Sequence, residues 1–371
     1  LEIEGDGSTG LDYFDKGADA KFELVHSLFS QSGVAGVEFG SYNFSQETKP
    51  YEPNNKRQNL ALYALERFEV GDHKINLGLR HDYHEYDANS FTSDDGAPEE
   101  GGTEGSTSFN ATEKTFNATS ISLGTTSKLN QNWTLGVSIA HTQRAPFHDE
   151  LFVYGEHHAT ETIEHGNRNL KDERSNSIDL TLSWANQGNA FSITPYFTDF
   201  GSYIALLNTG VVQYHEHGGE EEALPVLLHQ NVSAEFYGFE FQGDIDLSAN
   251  YDLNYWGDYV RAKNKNGGDL PRIPPLTLGS GLSYQWNALQ ANIDVAHTFS
   301  QSKIGDLELK TDDYTNVSLA LNYQLPMNKN LNFYVKGDNL LDEEKRDHSS
   351  FLKDKVLMGE RSFMLGLTGN F

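Results

Sequence analysis

The chain closes on nine residues that alternate without a break. Phe363, Leu365, Leu367, Gly369 and Phe371 fall on one face, and Met364, Gly366, Thr368 and Asn370 on the other. A period of two marks an extended strand, whose successive side chains point to opposite faces. About 9 to 11 such residues suffice to cross a bilayer as a tilted strand with one lipid face and one lumen face. No run of about 18 apolar residues occurs anywhere, so the sequence offers no membrane-spanning helix.

The same period recurs along the chain. Over 235–247, Tyr237, Phe239, Phe241, Ile245 and Leu247 face one way, while Glu240, Gln242, Asp244 and Asp246 face the other. Ile75, Leu77 and Leu79 repeat the pattern in 73–86, as do Ile178, Leu180, Leu182 and Trp184 in 178–184, and Val317, Leu319, Leu321 and Tyr323 in 317–323. Counting matches to this template gives about fifteen strands. Mean hydropathy is low, as expected when only alternate residues meet lipid. Trp133, Trp184 and Trp286 each lie beside a tight turn, where amphipathic rings would form a girdle at a membrane interface.

Connection lengths carry the next constraint. Short turns near 30–33, 70–73, 128–132, 187–189, 248–251, 287–288 and 326–330 alternate with long connections near 46–56, 88–112, 145–172, 207–230, 263–271, 302–311 and 342–358. Short turns on one rim and long loops on the other are the arrangement of transmembrane barrels, not of soluble sandwiches or propellers. The expected fold is therefore all-β: a transmembrane antiparallel β-barrel. An odd strand count does not close an ordinary antiparallel barrel, so the amino end is expected to be truncated, with an incomplete outer loop before residue 19.

Charge and cysteine content bound the chemistry. With 54 acidic and 27 basic residues the formal charge is −27, which disfavours nucleic acid and favours cations. Cysteine is absent, so any metal site must use His, Asp or Glu. Nothing resembles a nucleophile elbow or a helical His-Glu-x-x-His motif, and no enzymatic activity is expected. The glycine spacing from Gly5 to Gly10 follows no strand and precedes no helical pattern, so it reads as a loop.

Seven of the 14 histidines sit in two long connections: His148, His157, His158 and His165 in one, His215, His217 and His229 in the next. Carboxylates accompany them, among them Glu150 in the first and Glu216 in the second. Neutral imidazole with carboxylate suits zinc and neighbouring divalent metals, so these nine residues are the candidate metal ligands. In an extended segment His215 and His217 point to one side, as a chelating pair would, whereas His157 and His158 point apart. The plain alternative is that these are solvated loop side chains.

Ordered motifs add a resemblance. Gln143-Arg144-Ala145-Pro146, followed after a long loop by Gly166-Asn167-Arg168-Asn169-Leu170, resembles the paired box of TonB-dependent outer-membrane receptors, especially haem, haemoglobin and zinc (ZnuD-like) receptors. Gln143 stands where the family has Phe, and Arg168 where it has Pro. Tyr196-Phe197-Thr198-Asp199 with Tyr203-Ile204, Tyr237-Gly238-Phe239-Glu240, Leu270 to Pro275, Gly337 to Asp342 and the closing strand resemble later pieces of the family in order.

That resemblance implies a barrel of roughly 22 strands plugged by an amino-terminal domain. Residues 1–371 would supply its carboxy-terminal portion, without the plug or the first strands. It further implies a monomer in the outer membrane of a Gram-negative bacterium, coupled to the TonB system through the plug. Zinc ranks first as transported ligand because haem needs one or two axial ligands in an apolar surround, whereas these loops are rich in His and carboxylate. Haem, haemoglobin or a siderophore is the alternative ligand, and a passive porin-like barrel the alternative class.

Overall fold

The computed structural model describes residues 13–28, 32–46, 51–96, 105–217, 220–327 and 330–369. Its first strands are β1 (Tyr13–His26), β2 (Ser32–Gln46), β3 (Asn55–Val70), β4 (His73–Ala88), β5 (Phe91–Gly96), β6 (Gly105–Phe109), β7 (Thr112–Lys128) and β8 (Trp133–Arg144). A five-residue helix, α1 (His148–Phe152), precedes the short strands β9 (Tyr154–His157) and β10 (Thr162–His165). Then come β11 (Glu173–Asn186), β12 (Asn189–His217), β13 (Glu220–Ser248), β14 (Tyr251–Asn264), β15 (Thr277–Trp286), β16 (Leu289–Thr298), β17 (Tyr314–Gln324), β18 (Leu331–Asp338) and β19 (Ser362–Gly369). Setting aside the short inserts β5, β6, β9 and β10 leaves fifteen long strands among the described residues, the number the alternation predicts.

Each long strand pairs with the next long strand in sequence, β8 with β11 across the intervening insert. Where register is defined the pairing is antiparallel, as in Val37↔Leu62, Leu282↔Ile293 and Tyr334↔Gly366. Tight turns make this possible. Gln187 and Gly188 both take positive φ, +47° and +87°, the combination whose twist matches that of the flanking strands in a two-residue hairpin. Trp184 lies near this turn and Trp133 follows the short β7–β8 connection, their ring centroids 6.5 Å apart, and Trp286 borders the β15–β16 turn.

The chain divides into two compact units. The first runs up to Thr125 and adds Ser138–Ser177 and Asp199–Ala234; the second holds Thr126–Val137, Ile178–Thr198 and everything from Glu235. In the first, Tyr86, Ala88, Phe116, Ala145, Leu151, Phe152, Leu170 and Ile204 form a buried core where the 145–172 connection meets the strand ends. Outside it the apolar strand faces are open: Leu62 in the first unit and Leu365 in the second are 56% and 68% exposed. Soluble monomers rarely leave such continuous apolar surface bare, whereas a lipid-facing strand requires it.

One expected loop is instead sheet. Residues 207–230 read as a long connection, yet β12 continues to His217 and β13 begins at Glu220, each 29 residues long. The ladder persists because it is held from the side. Thr209 donates its hydroxyl to the Val226 carbonyl at 2.8 Å, and β10 adds to β13 in parallel, Ile163 opposite Val226, burying Ile163, Leu224 and Val226 together. Polar composition alone suggested loop; the buried apolar positions within it decided for strand. Asn370, Phe371 and residues 1–12, including the Gly5–Gly10 loop, lie outside the described residues.

Candidate functional site

The paired box is a lock that fixes the base of the His-bearing insert. Arg144, the last residue of β8, donates to Glu150 through both terminal nitrogens at 2.9 and 3.0 Å, and to Glu173 Oε2 at 3.2 Å. Glu150 also accepts the Phe147 amide at 2.7 Å, closing the first turn of α1, and Glu173 accepts the Ile204 amide at 3.1 Å. Two carboxylates on one half-buried guanidinium, each with an amide besides, make a network whose members depend on one another.

The second half of the box docks on the same helix. Gly166 donates to Val153 O at 2.6 Å, and Asn167 to Glu150 O at 2.9 Å. A Cβ on Gly166 would lie 2.5 Å from the Phe152 nitrogen, so no larger residue fits without moving the helix. Asn167 Nδ2 reaches His229 O at 3.1 Å, and Lys171 and Asn231 exchange two hydrogen bonds, tying the segment to β13. Arg168, standing where the family has Pro, lies over Phe109 and donates to Asn110 O at 3.1 Å.

Above that base the histidines disperse. His148 Nδ1 lies 2.9 Å from Glu52 Oε2, with its ring 4.9 Å from that of Phe44. Burial alone would lower the His148 pKa, but the hydrogen bond and charge of Glu52 outweigh it, so the imidazole is held above its ordinary value. His157 Nδ1 meets the Thr160 hydroxyl at 3.0 Å, while His158, in the β9–β10 turn, meets Glu156 Oε1 at 2.8 Å. His165 stacks on Tyr154 at 4.0 Å between centroids and only 6° between planes. Its Nε2 is buried with no hydrogen-bond partner among the described residues, and burial pushes its pKa down to about 4.

No group of three or more His, Asp or Glu converges on a metal-sized space among the described residues. From the candidate ligands that are described, the fold assembles the imidazole–carboxylate pairs His148–Glu52 and His158–Glu156. Two ligands of a tetrahedral zinc ion stand about 3.3 Å apart, given Zn–N and Zn–O bonds of about 2.0 to 2.2 Å. Each pair therefore spans about the separation of two coordination positions. His229 is placed on β13 beside the box, and Glu150 is committed to Arg144. The side chains of His215, Glu216 and His217 lie outside the described residues, although their backbone belongs to β12.

Glu52 was missed by sequence reasoning. It lies 96 residues from His148, in a connection notable only for its length, and no spacing rule joins them. His348, given no role from sequence, is another surprise. It is 2% exposed, with Nδ1 3.0 Å from Thr311 Oγ1 and Nε2 3.5 Å from Glu308 Oε1, in a hub that also holds Lys353.

The family described as "TonB dependent receptor-like, beta-barrel" matches residues 3–340. A relative from Haemophilus influenzae, described as hemoglobin and hemoglobin-haptoglobin-binding protein A, is 28% identical over 186 residues, covering 47% of this chain and 16% of that protein. Among solved structures, the copper transporter OprC superposes with a TM-score of 0.80 at 17% identity, over 97% of this chain and 58% of its own. The FrpB iron transporter from Neisseria meningitidis gives 0.70 at 13% identity, over 97% and 55%. At these identities the structures establish the fold, and this chain spans little more than half of either.

Proposed function

The chain belongs to the TonB-dependent receptor β-barrel family, and from that premise we propose that it is the barrel portion of an outer-membrane transporter that captures zinc or a similar divalent transition metal. The family is one of receptors and transporters, so chelation, not catalysis, is the chemistry to explain. The observation that carries the reading is the His148–Glu52 pair, which joins an imidazole and a carboxylate 2.9 Å apart from two separate connections. His158–Glu156, within the β9–β10 hairpin, supplies a second imidazole–carboxylate pair at 2.8 Å.

In this reading the net charge of −27 concentrates cations at the surface, and each pair exchanges its internal hydrogen bond for two metal bonds. Coordination is completed when His157, His165, His215, Glu216, His217 or His229 moves in, or by water. The ion then passes inward past a plug coupled to TonB, in the outer membrane of a Gram-negative bacterium, with the receptor acting as a monomer. Haem is the second reading, favoured by the haemoglobin-binding Haemophilus relative. His165, neutral and stacked on an aromatic ring, is the residue here most suited to an axial role.

Calorimetric titration of the full-length receptor in detergent with zinc, and with haem in parallel, separates them. Tight zinc binding lost in both His148→Ala and Glu52→Ala supports the metal reading. Haem binding with a Soret shift lost in His165→Ala, and no tight zinc site, replaces it.

A further inference from the structure

The second unit contains a cavity of about 180 Å3 at the outer ends of β14, β15 and β16, lined by Tyr259, Arg261, Asp269, Phe299 and Lys303 among others. Its place on the strands says what it faces. Gly257 pairs with Leu278, and Leu278 with His297, so these three share one face of the sheet. Two residues further along the same face come Tyr259 on β14 and Phe299 after β16. Below, that face carries Phe239, Phe241, Tyr255, Ile293 and Val295, the apolar side expected to meet lipid. The cavity therefore opens where an apolar wall ends and polar loops begin.

The charge at this boundary runs against the rest of the chain. Basic residues are outnumbered two to one overall, yet Arg261, Lys263 and Lys265 fall within five residues, and Lys303 joins them across the cavity. Lys263 lies over the Tyr237 ring at 5.6 Å. Arg261 donates one terminal nitrogen to Asp269 at 2.9 Å, while its Nε is buried with no acceptor among the described residues. His297 adds a ring 4.5 Å from Phe299, with Asp313 at 3.9 Å. Asp269 faces the cluster already paired with Arg261, and Asp313 stands beside His297.

We propose that this cavity is a binding site for the phosphorylated headgroup of an outer-leaflet lipid. A phosphate oxygen supplies the acceptor Arg261 Nε lacks, and Lys303 supplies a second charge. The space exceeds several waters at about 30 Å3 each, so a phosphate enters with part of its hydration. A free phosphate would use the cations but gain nothing from Tyr259, Phe299 and the apolar wall beneath, which favour a molecule with acyl chains attached. Tyrosine at that level is in its preferred interfacial position.

Native mass spectrometry of the full-length receptor in detergent tests this with three probes: bisphosphorylated lipid A, the same lipid dephosphorylated, and inorganic phosphate. The phosphorylated lipid should be retained, the dephosphorylated lipid on the order of 20-fold more weakly, and inorganic phosphate not at all. Arg261→Gln combined with Lys303→Gln should bring the phosphorylated lipid down by a similar factor, about fivefold per basic side chain, whereas Lys355→Gln should not. Equal retention of both lipids, retention of inorganic phosphate, or an unchanged double variant overturns the proposal. The lipid comparison uses the wild-type receptor, so it decides even where the double variant does not fold.

Discussion

Arg144 holds Glu150 with both terminal guanidinium nitrogens, at 2.9 and 3.0 Å, across one turn of chain. Glu150 is 9% exposed and also closes the first turn of α1, so its carboxylate is spent on structure. Glu150→Gln should therefore loosen the 145–172 connection by about 2 kcal/mol, within the range for hydrogen bonds to charged groups. Zinc affinity at the His148–Glu52 pair should change less than in Glu52→Ala. Limited proteolysis within 145–172 alongside zinc calorimetry checks both; a Glu150→Gln receptor with wild-type proteolytic resistance would remove the structural assignment.

On the proposed zinc reading, the His148–Glu52 pair makes capture dependent on pH in a particular way. His148 is held above its ordinary value of 6.5, so its proton competes with metal at a higher pH than for a free imidazole. The raised value also means that the His148 proton contributes stability fully below 6.5 and that this is lost as pH rises through the folded value, while burial raises the Glu52 pKa and sets the acid limit of the charged pair. On the same reading, metal bonding takes over where the protonated pair ends. Glu52→Gln should shift the midpoint of zinc binding to lower pH and weaken the plateau affinity by about tenfold or more. Calorimetry from pH 5.5 to 8 checks it, and a level zinc affinity across that range would count against His ligation.

His165 behaves in the opposite sense. Its folded pKa of about 4 lies below the ordinary 6.5, so the opened state takes the proton first and the closed state loses stability as pH falls from 6.5 toward 4. The Tyr154 stack and the β9–β10 hairpin should open on mild acidification. His165→Phe keeps a ring on Tyr154 and removes the titration, so hydrogen exchange in 154–165 should become independent of pH once corrected for intrinsic rates. Persistent acid-induced opening in that variant would place the sensor elsewhere.

How much of this could be read from sequence follows from the range of the interactions. Alternation along Phe363–Leu367 or Val317–Tyr323 is a local consequence of the two faces of a strand, so strands and turns were legible to within a few residues. The box motifs were legible as spacing, but their purpose was not: Arg144 contacts Glu173, and Asn167 reaches His229 O, across 29 and 62 residues. The expected loop at 207–230 failed because its Gly, His and Glu residues suggested solvent, whereas Leu224 and Val226 pack against Ile163 from a distant segment. Glu52 had no local signal at all. Charge pairing between loops is decided by the fold, and only afterwards does it look inevitable.

The Glu308 hub gives the clearest stability prediction. Its carboxylate, 6% exposed, receives Lys353 Nζ at 2.5 Å, the Arg272 amide at 2.6 Å and the Gly305 amide at 2.9 Å, with His348 Nε2 3.5 Å away. Burial would raise its pKa, but the bonds from His348, Lys353 and the two amides outweigh it and hold the value to about 2. For an acid with a lowered folded pKa, the stabilisation is present above the ordinary 4.5 and disappears as pH falls from there toward 2. Glu308→Ala should cost about 3 to 5 kcal/mol locally, because Lys353, 7% exposed, is left as a buried charge without its carboxylate. The loss should be confined to the 299–313 and 339–361 connections and should spare zinc binding at the His148–Glu52 pair. Replacing Lys353 as well, in Glu308→Gln with Lys353→Met, should recover most of the loss, since the uncompensated charge is gone. Hydrogen exchange of the two connections at pH 7 and pH 3.5 distinguishes these outcomes; equal destabilisation in the single and double variants would show that packing, not charge, holds the hub.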